Sequence, residues 1–383
     1  MKFPKIPIEF FNIFSKIDTP AIVYNDQLLQ YTINMIKEDT KNIPNLEICF
    51  SLKANRNNDI TSYIANQGLG ADIASLEEFN IAKNKKFQSI YATSPYFGTE
   101  EVRQLYENDI IFDFNSISQL KSCIKIVENK DIGLRIKIPL QKTAPEIYGN
   151  NSRFGVLGNE SALIQLIKNH NLNVKQIHIH IGEKDYNSTK EIIKHIKYLL
   201  KHFDIYQNVL IINLGGGYTQ LYLKETELTQ FWNLIKEFSI YLNKKQPTKI
   251  IIEPGMLISF LSGCLFTSVR ASDYQITEVK NVTLDCSAFN LFSWFKPKLI
   301  YTNSNLDKKI HNIHGNTCYE HDTFSEKITT NELNIGDKVI FNPVGSYVSS
   351  MKRTLHGLPF PTEYFYQNEK LFKDGEIIWS WKK

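Results

Sequence analysis

Four segments of this chain end an apolar run on residues that can do chemistry. Lys53 closes the run 48–52, His180 lies in HIHIG, Gly215, Gly216 and Gly217 follow the run 211–214, and Glu253 closes 250–252. A lysine amine with a lowered pKa condenses with an aldehyde. Glycine N–H groups approach a phosphate closely. An imidazole stacks on a flat ring. A carboxylate beside a pyridine nitrogen keeps it protonated, so that the ring accepts electrons from a bond broken at Cα. Together these are the parts that hold and activate pyridoxal 5'-phosphate (PLP). Their shared place, the end of a strand-like run, is where a parallel barrel gathers its active site.

Each residue taken singly has a plainer reading. A lone lysine is usually a surface residue, and three glycines can serve only a tight turn. Glu253 could be a buried acid paired with Arg135, which lies in another strand-like run. His178 and His180 share one face of a strand, so a core histidine or a metal pair are further readings. No third ligand stands nearby, and no metal is expected. Asp72, after GLGA, could orient Lys53 or His180, or cap the next helix. Cys318, in GNTCYEHD, could protonate a carbanion or be a small buried residue. Tyr347, in GSY, could donate to a phosphate or fill a core.

These positions need a scaffold that brings strand ends together. Eight β-rich runs precede residue 255, at 48–52, 69–73, 89–93, 109–113, 132–138, 175–181, 208–214 and 249–253. Between most of them lie stretches of helical period, such as 76–85, 116–127, 160–169, 188–202 and 226–243. Ser75 and Glu78 form a capping-box pattern before the first. Repeated strand–helix alternation predicts an α/β fold, a (β/α)8 barrel in preference to a doubly wound sheet. After residue 262, alternating runs at 264–272, 276–285, 309–313, 337–342 and 376–381 predict a second, antiparallel β domain. The segment 7–24, ending in TPAIVY, also reads as strand and joins it. The expected division is 25–262 for a PLP-binding barrel and 263–383, with 1–24, for the β domain.

Composition agrees with that division. The 383 residues exceed one ordinary core, and 42% hydrophobic content suits compact folding. A net charge of +4, dispersed and without a long basic run, gives no footprint for nucleic acid. No apolar run is long enough to span a membrane, and proline interrupts the N-terminus too early for a signal segment. Five scattered cysteines without a CxxC pair read as reduced thiols in a cytoplasmic protein.

Taken in order, TPAIVY, SLKAN, GADIASLEEF, LRIKIP, SRFG, HIHIG, LGGGY, EPG, GNTCYEHD and GSYVSSM resemble the motifs of the fold-type III PLP-dependent decarboxylases. That family includes the ornithine, diaminopimelate and carboxynorspermidine enzymes. The resemblance runs from residue 19 to about 351. It implies a barrel of the alanine racemase-like type with a β domain, and a homodimer with shared active sites. It implies Lys53 as the residue bonded to the cofactor, His180 on the ring and Glu253 at the ring nitrogen. Gly215, Gly216, Gly217, Gly255 and Tyr347 would lie near the phosphate, with Asp72 and Arg135 also in the cofactor site. Cys318 would enter the partner's site as proton donor.

Three departures bear on the substrate and the phosphate. Met256 stands where the family often has arginine after EPG, and Glu183 replaces the serine of HIGS. Tyr319 replaces the acid that ornithine and diaminopimelate enzymes carry directly after the cysteine, and Lys296 stands where the diaminopimelate pattern has arginine. Lys296, Tyr319 and Asp322 are therefore the substrate-side candidates, with Lys298 and Arg353 available to further carboxylates. The expected reaction is α-decarboxylation of an amino acid. Losing the acid after Cys318 removes a partner for a distal ammonium. This favours a substrate with a masked distal amine, such as N-citrylornithine in siderophore synthesis of the rhizoferrin type. The alternatives are diaminopimelate, ornithine or lysine, and carboxynorspermidine. An amino acid racemase is disfavoured by Glu253, because racemases of the alanine type place arginine at the ring nitrogen. A non-catalytic regulator is disfavoured by the joint presence of Lys53, Glu253 and Cys318.

Overall fold

A computed structural model of the chain describes residues 6, 8–140, 146–274 and 278–381. The chain divides into two compact units, one comprising residues 34–53 and 64–257, the other the described residues of 6–33, 54–63 and 258–381. Residues 26–33 and 54–63, within the 25–262 expected for the barrel, group with the second unit.

In the first unit eight parallel strands close into a barrel. They are Leu46–Ser51, Gly70–Ile73, Ile90–Thr93, Phe112–Phe114, Asp131–Arg135, Asn173–His178, Ile211–Asn213 and Lys249–Ile252. Each falls within or beside a run expected to be a strand. Most of their Ile, Val and Phe side chains are buried, as a strand covered on both faces requires; Ile48, Ile90 and Ile211 are partly exposed. Helices follow the strands and turn an apolar stripe inward. Tyr186–His202 buries Ile192, Ile193, Ile196 and Leu199 at helical spacing. It starts at Asp185, whose carboxylate accepts the Ser188 N–H at 2.7 Å. Ser75 caps Leu76–Asn84 by accepting the Glu78 N–H. The Glu78 carboxylate instead takes the Ala74 N–H at 2.7 Å, one residue further out than in a capping box.

The second unit carries a ten-stranded sheet. Most neighbours are antiparallel, as expected, but Ala21–Asn25 runs parallel to Thr362–Gln367, and Lys280–Leu284 runs parallel to Lys308–His314. The N-terminal segment departs from its reading as strand. Ile8–Phe11 and Asn12–Ser15 are helical, and only Ala21–Asn25 is a strand. Phe10, Ile13, Phe14 and Ile17 are spaced by three or four and buried together, which is a helical period hidden in residues of high strand propensity. Residue 7, and residues 276–277 of the expected run 276–285, lie outside the described residues.

One row of the barrel positions the site. Asp113, Gly133 and Gln176 are paired across three successive strands. The Gln176 amide donates to both oxygens of Asp113 at 2.8 Å, reaching over the glycine between them. A Cβ at Gly133 would lie 2.0 Å from the Asp113 carboxylate. Overpacking of this kind costs about 1–3 kcal/mol. Gly133→Ala should therefore lower the urea midpoint without changing the slope of the transition. An unchanged midpoint would show that the carboxylate has room to move.

Candidate active site

Strand register lines up the functional side chains. Ser51 pairs with Asp72, Arg135 with His178, and His178 with Asn213. Glu253 comes one residue after the strand Lys249–Ile252, and Lys53 two residues after Leu46–Ser51. Asp72, Asp113, Arg135, His178, Asn213 and Glu253 are all buried. A barrel interior at this level would otherwise be filled by apolar layers.

The contacts among these groups are specific. The Ser51 hydroxyl lies 2.8 Å from Asp72 Oδ2 and 3.1 Å from the Glu253 carbonyl. Lys53 Nζ, half-exposed, is 3.4 Å from Asp72 Oδ2. Asp72 therefore sits beside Lys53, while the helix cap falls to Ser75. The Asn213 amide donates to Glu253 Oε1. His178 stands between two acids, with Nδ1 3.4 Å from Asp113 and Nε2 3.6 Å from Glu253. Among the described residues no ion pair joins Arg135 to Glu253; the guanidinium lies 4.4 Å from the Phe154 ring centroid. No group of three metal-ligating side chains occurs among the described residues.

Burial sets the charge states. It pushes Asp113 and Glu253 each up to about 8, with the Asp72 charge adding to the rise and with Lys53 and Asn213 pulling Glu253 back. Burial also holds His178 and His180 well below the ordinary histidine range, with nearby cations adding to it. Both imidazoles are therefore neutral at physiological pH.

The glycine loop closes on His180. A Cβ at Gly215, where φ is +67°, would come 2.8 Å from His180 Cβ. A Cβ at Gly217, where φ is +92°, would come 1.7 Å from the Gly182 carbonyl oxygen. Gly255 is buried two residues past Glu253. The Glu183 carboxylate accepts the Gln220 N–H at 2.9 Å, in the first turn of the helix Thr219–Lys224 that follows the loop.

The remaining candidates belong to the second unit. Cys318 is an exposed free thiol whose N–H donates to His356 Nε2 at 3.1 Å. Tyr319 is exposed, its ring 4.6 Å from that of Phe289. Asp322 is buried and staples its own loop, taking the Phe289 N–H at 2.9 Å, the Thr317 N–H at 3.0 Å and the Thr317 hydroxyl at 2.6 Å. Glu320 is then the exposed acid of this segment. Lys296 and Lys298 are exposed, while Arg353 donates to the Phe289 carbonyl and lies over its ring. Tyr347 has a φ of +58°, packs on Trp294 and donates its N–H to the Ala54 carbonyl at 2.7 Å.

Asn213, Asp113, Gln176 and Lys184 escape the sequence reading. Asn213 is a polar residue inside the apolar run 211–214, two residues before the glycines. Lys184 lies in the charged triplet EKD, which reads as a solvated face.

A family model for the pyridoxal binding domain of pyridoxal-dependent decarboxylases matches residues 31–259. The chain belongs to the pyridoxal-dependent decarboxylases. It is 27% identical to a diaminopimelate decarboxylase of Buchnera aphidicola, covering 95% of this chain and 93% of the relative. It is 22% identical to a carboxynorspermidine/carboxyspermidine decarboxylase of Campylobacter jejuni, covering 91% and 93%. In fold it is similar to the Helicobacter pylori diaminopimelate decarboxylase solved with L-lysine, at a TM-score of 0.83, 23% identity and 96% coverage of both chains. It is also similar to a Chlorella virus arginine decarboxylase, at a TM-score of 0.80, 18% identity and coverage of 94% and 99%.

The barrel of this decarboxylase fits PLP. Glu253 is a buried acid held in place by Asn213 without a lysine or arginine in ion-pair distance among the described residues, which suits a cationic ring nitrogen. Lys53 would offer the amine, His180 a neutral ring, and the glycine loop its backbone. Bound PLP supplies the electron sink for decarboxylation.

Stripped of PLP, the native protein holds the Glu253 proton up to about pH 8. An unfolded glutamate loses it near pH ~4.3. The native state then binds the extra proton, so this contribution to stability is present at low pH and is lost as pH rises through about 8. Glu253→Gln cannot titrate. The stability of the cofactor-free wild type minus that of this variant, from urea unfolding, should fall between roughly pH 5 and pH 9. A constant difference would return the acid to the ordinary carboxylate range.

Proposed function

We propose that this decarboxylase removes the α-carboxylate of diaminopimelate. The observation that carries this reading is its similarity, over more than nine-tenths of both chains, to the diaminopimelate decarboxylases of Buchnera aphidicola and Helicobacter pylori. The far end of diaminopimelate bears a carboxylate and an ammonium. The exposed Lys296 and Glu320 supply one partner of each sign, Glu320 standing one residue later than the family's acid. Lys53 holds the cofactor, Glu253 fixes the charge of its ring, and the Cys318 thiol returns a proton to Cα. The sites are shared across a homodimer, so that the exposed Cys318 serves the partner's barrel. Five free thiols are in keeping with a reducing cytoplasm.

A second reading keeps the reaction and changes the far end. Tyr319 is an uncharged exposed ring where the ornithine and diaminopimelate enzymes carry an acid. That favours a capped distal amine, as in N-citrylornithine. The relatives above are named for diaminopimelate, carboxynorspermidine and arginine, and so weigh against it.

Carbon dioxide release from meso-diaminopimelate, ornithine, lysine, carboxynorspermidine and N-citrylornithine decides between the two. Diaminopimelate should give the highest kcat/KM, and Lys296→Ala should raise its KM about ten- to a hundredfold, as expected for a lost charge-assisted contact. Faster turnover of N-citrylornithine would overturn the first reading and leave the second. For the shared site, inactive Lys53→Ala and Cys318→Ala chains are mixed. Heterodimers carry both lesions in one site and neither in the other, so about a quarter of native activity should return. No recovery after verified subunit exchange would count against sharing.

A further inference from the structure

Lys184 is a buried ammonium that the reaction as derived above does not use. Only 3% of the residue is exposed. It is woven into the glycine loop from both ends. Its N–H donates to the Gly217 carbonyl at 2.8 Å, and its Nζ donates to the Gly216 carbonyl. The Tyr218 ring centroid lies 5.1 Å from Nζ. No carboxylate comes within ion-pair distance of it among the described residues. Its chain neighbour Glu183 is engaged by the Gln220 N–H.

A cation in such a place has lost its water without gaining an anion, and that desolvation is costly. Burial pushes the Lys184 pKa down to about 7; Glu183 and Glu253 face it as acids, and Arg135 and Lys53 as further cations. The loop it supports is bare backbone after a strand end, with no room for side chains at Gly215 and Gly217 against the segment 179–183. PLP brings one strong anion, its phosphate. Backbone N–H groups and a cation together are what binds such a group.

We propose that Lys184 is the counter-charge for the PLP phosphate in this chain. Binding the phosphate gives the buried ammonium its missing anion and fixes its proton. The inference does not depend on which amino acid is decarboxylated.

The test compares PLP with pyridoxal, which lacks the phosphate. The full chain is stripped of cofactor and reloaded, and both dissociation constants are measured for wild type, Lys184→Met and Lys184→Arg. The methionine variant should bind PLP about ten- to a hundredfold more weakly and pyridoxal unchanged. The arginine variant should recover most of the PLP affinity. Equal weakening for both ligands would make Lys184 a scaffold of the loop and overturn the proposal, as would no weakening at all. Should the methionine variant fail to fold, the arginine holoenzyme still decides. The phosphorus NMR resonance of bound PLP moves if a guanidinium has replaced an ammonium against the phosphate, and stays in place if it has not.

Discussion

Three carboxylates buried in the mouth of one barrel are the constraint on which the rest of this site depends. Asp113 and Glu253 lie in a medium that disfavours their charge, and the Asp72 charge nearby disfavours it further. Every acid needs a donor, a cation or a proton. Asp72 has Ser51 and Lys53, Asp113 has Gln176, and Glu253 has Asn213. Those three solutions fix the identity of residues on six of the eight strands or the turns that end them, including several that never meet a substrate.

The same constraint prepares the reaction. An acid held by an amide on one oxygen and facing a neutral imidazole on the other is oriented before any ligand arrives. Its aim is fixed by the strands Ile211–Asn213 and Asn173–His178, which are rigid elements of the barrel. Electrostatic stabilisation of this kind gains from low dielectric and from having no reorganisation left to do. His178 contributes by remaining uncharged. A cation there would pair with Glu253 and occupy its second oxygen.

Much of this was legible before any coordinates. The eight strands announce themselves as short β-rich runs between helical periods, and Lys53, Glu253 and the glycines stand out because each ends such a run. Polar partners without charge are quieter. Asn213 is the one polar residue of the run 211–214, yet an asparagine just before glycines is also a common turn residue. Gln176 sits inside a strand where alternation allows a polar residue on either face. Lys184 is masked by its acidic neighbours, since nothing local separates a buried lysine from a solvated one. The N-terminal Phe10, Ile13 and Phe14 mislead in the other direction, because aromatic and branched residues suggest a strand while their spacing makes a helix. Asp322 suggests a binding residue by its neighbourhood, and only its hydrogen bonds show it stapling a loop.

Gly133 has no side chain, no unusual backbone angle and no chemistry, yet its emptiness lets strands two apart share a hydrogen bond across it. Selection acting on this residue would act on volume alone. Drift in the barrel would be free to exchange Ile for Val or Leu at many wall positions, and closed to even one methyl group here. A gene library randomised at this codon would return glycine for a reason that neither a turn rule nor a catalytic rule describes.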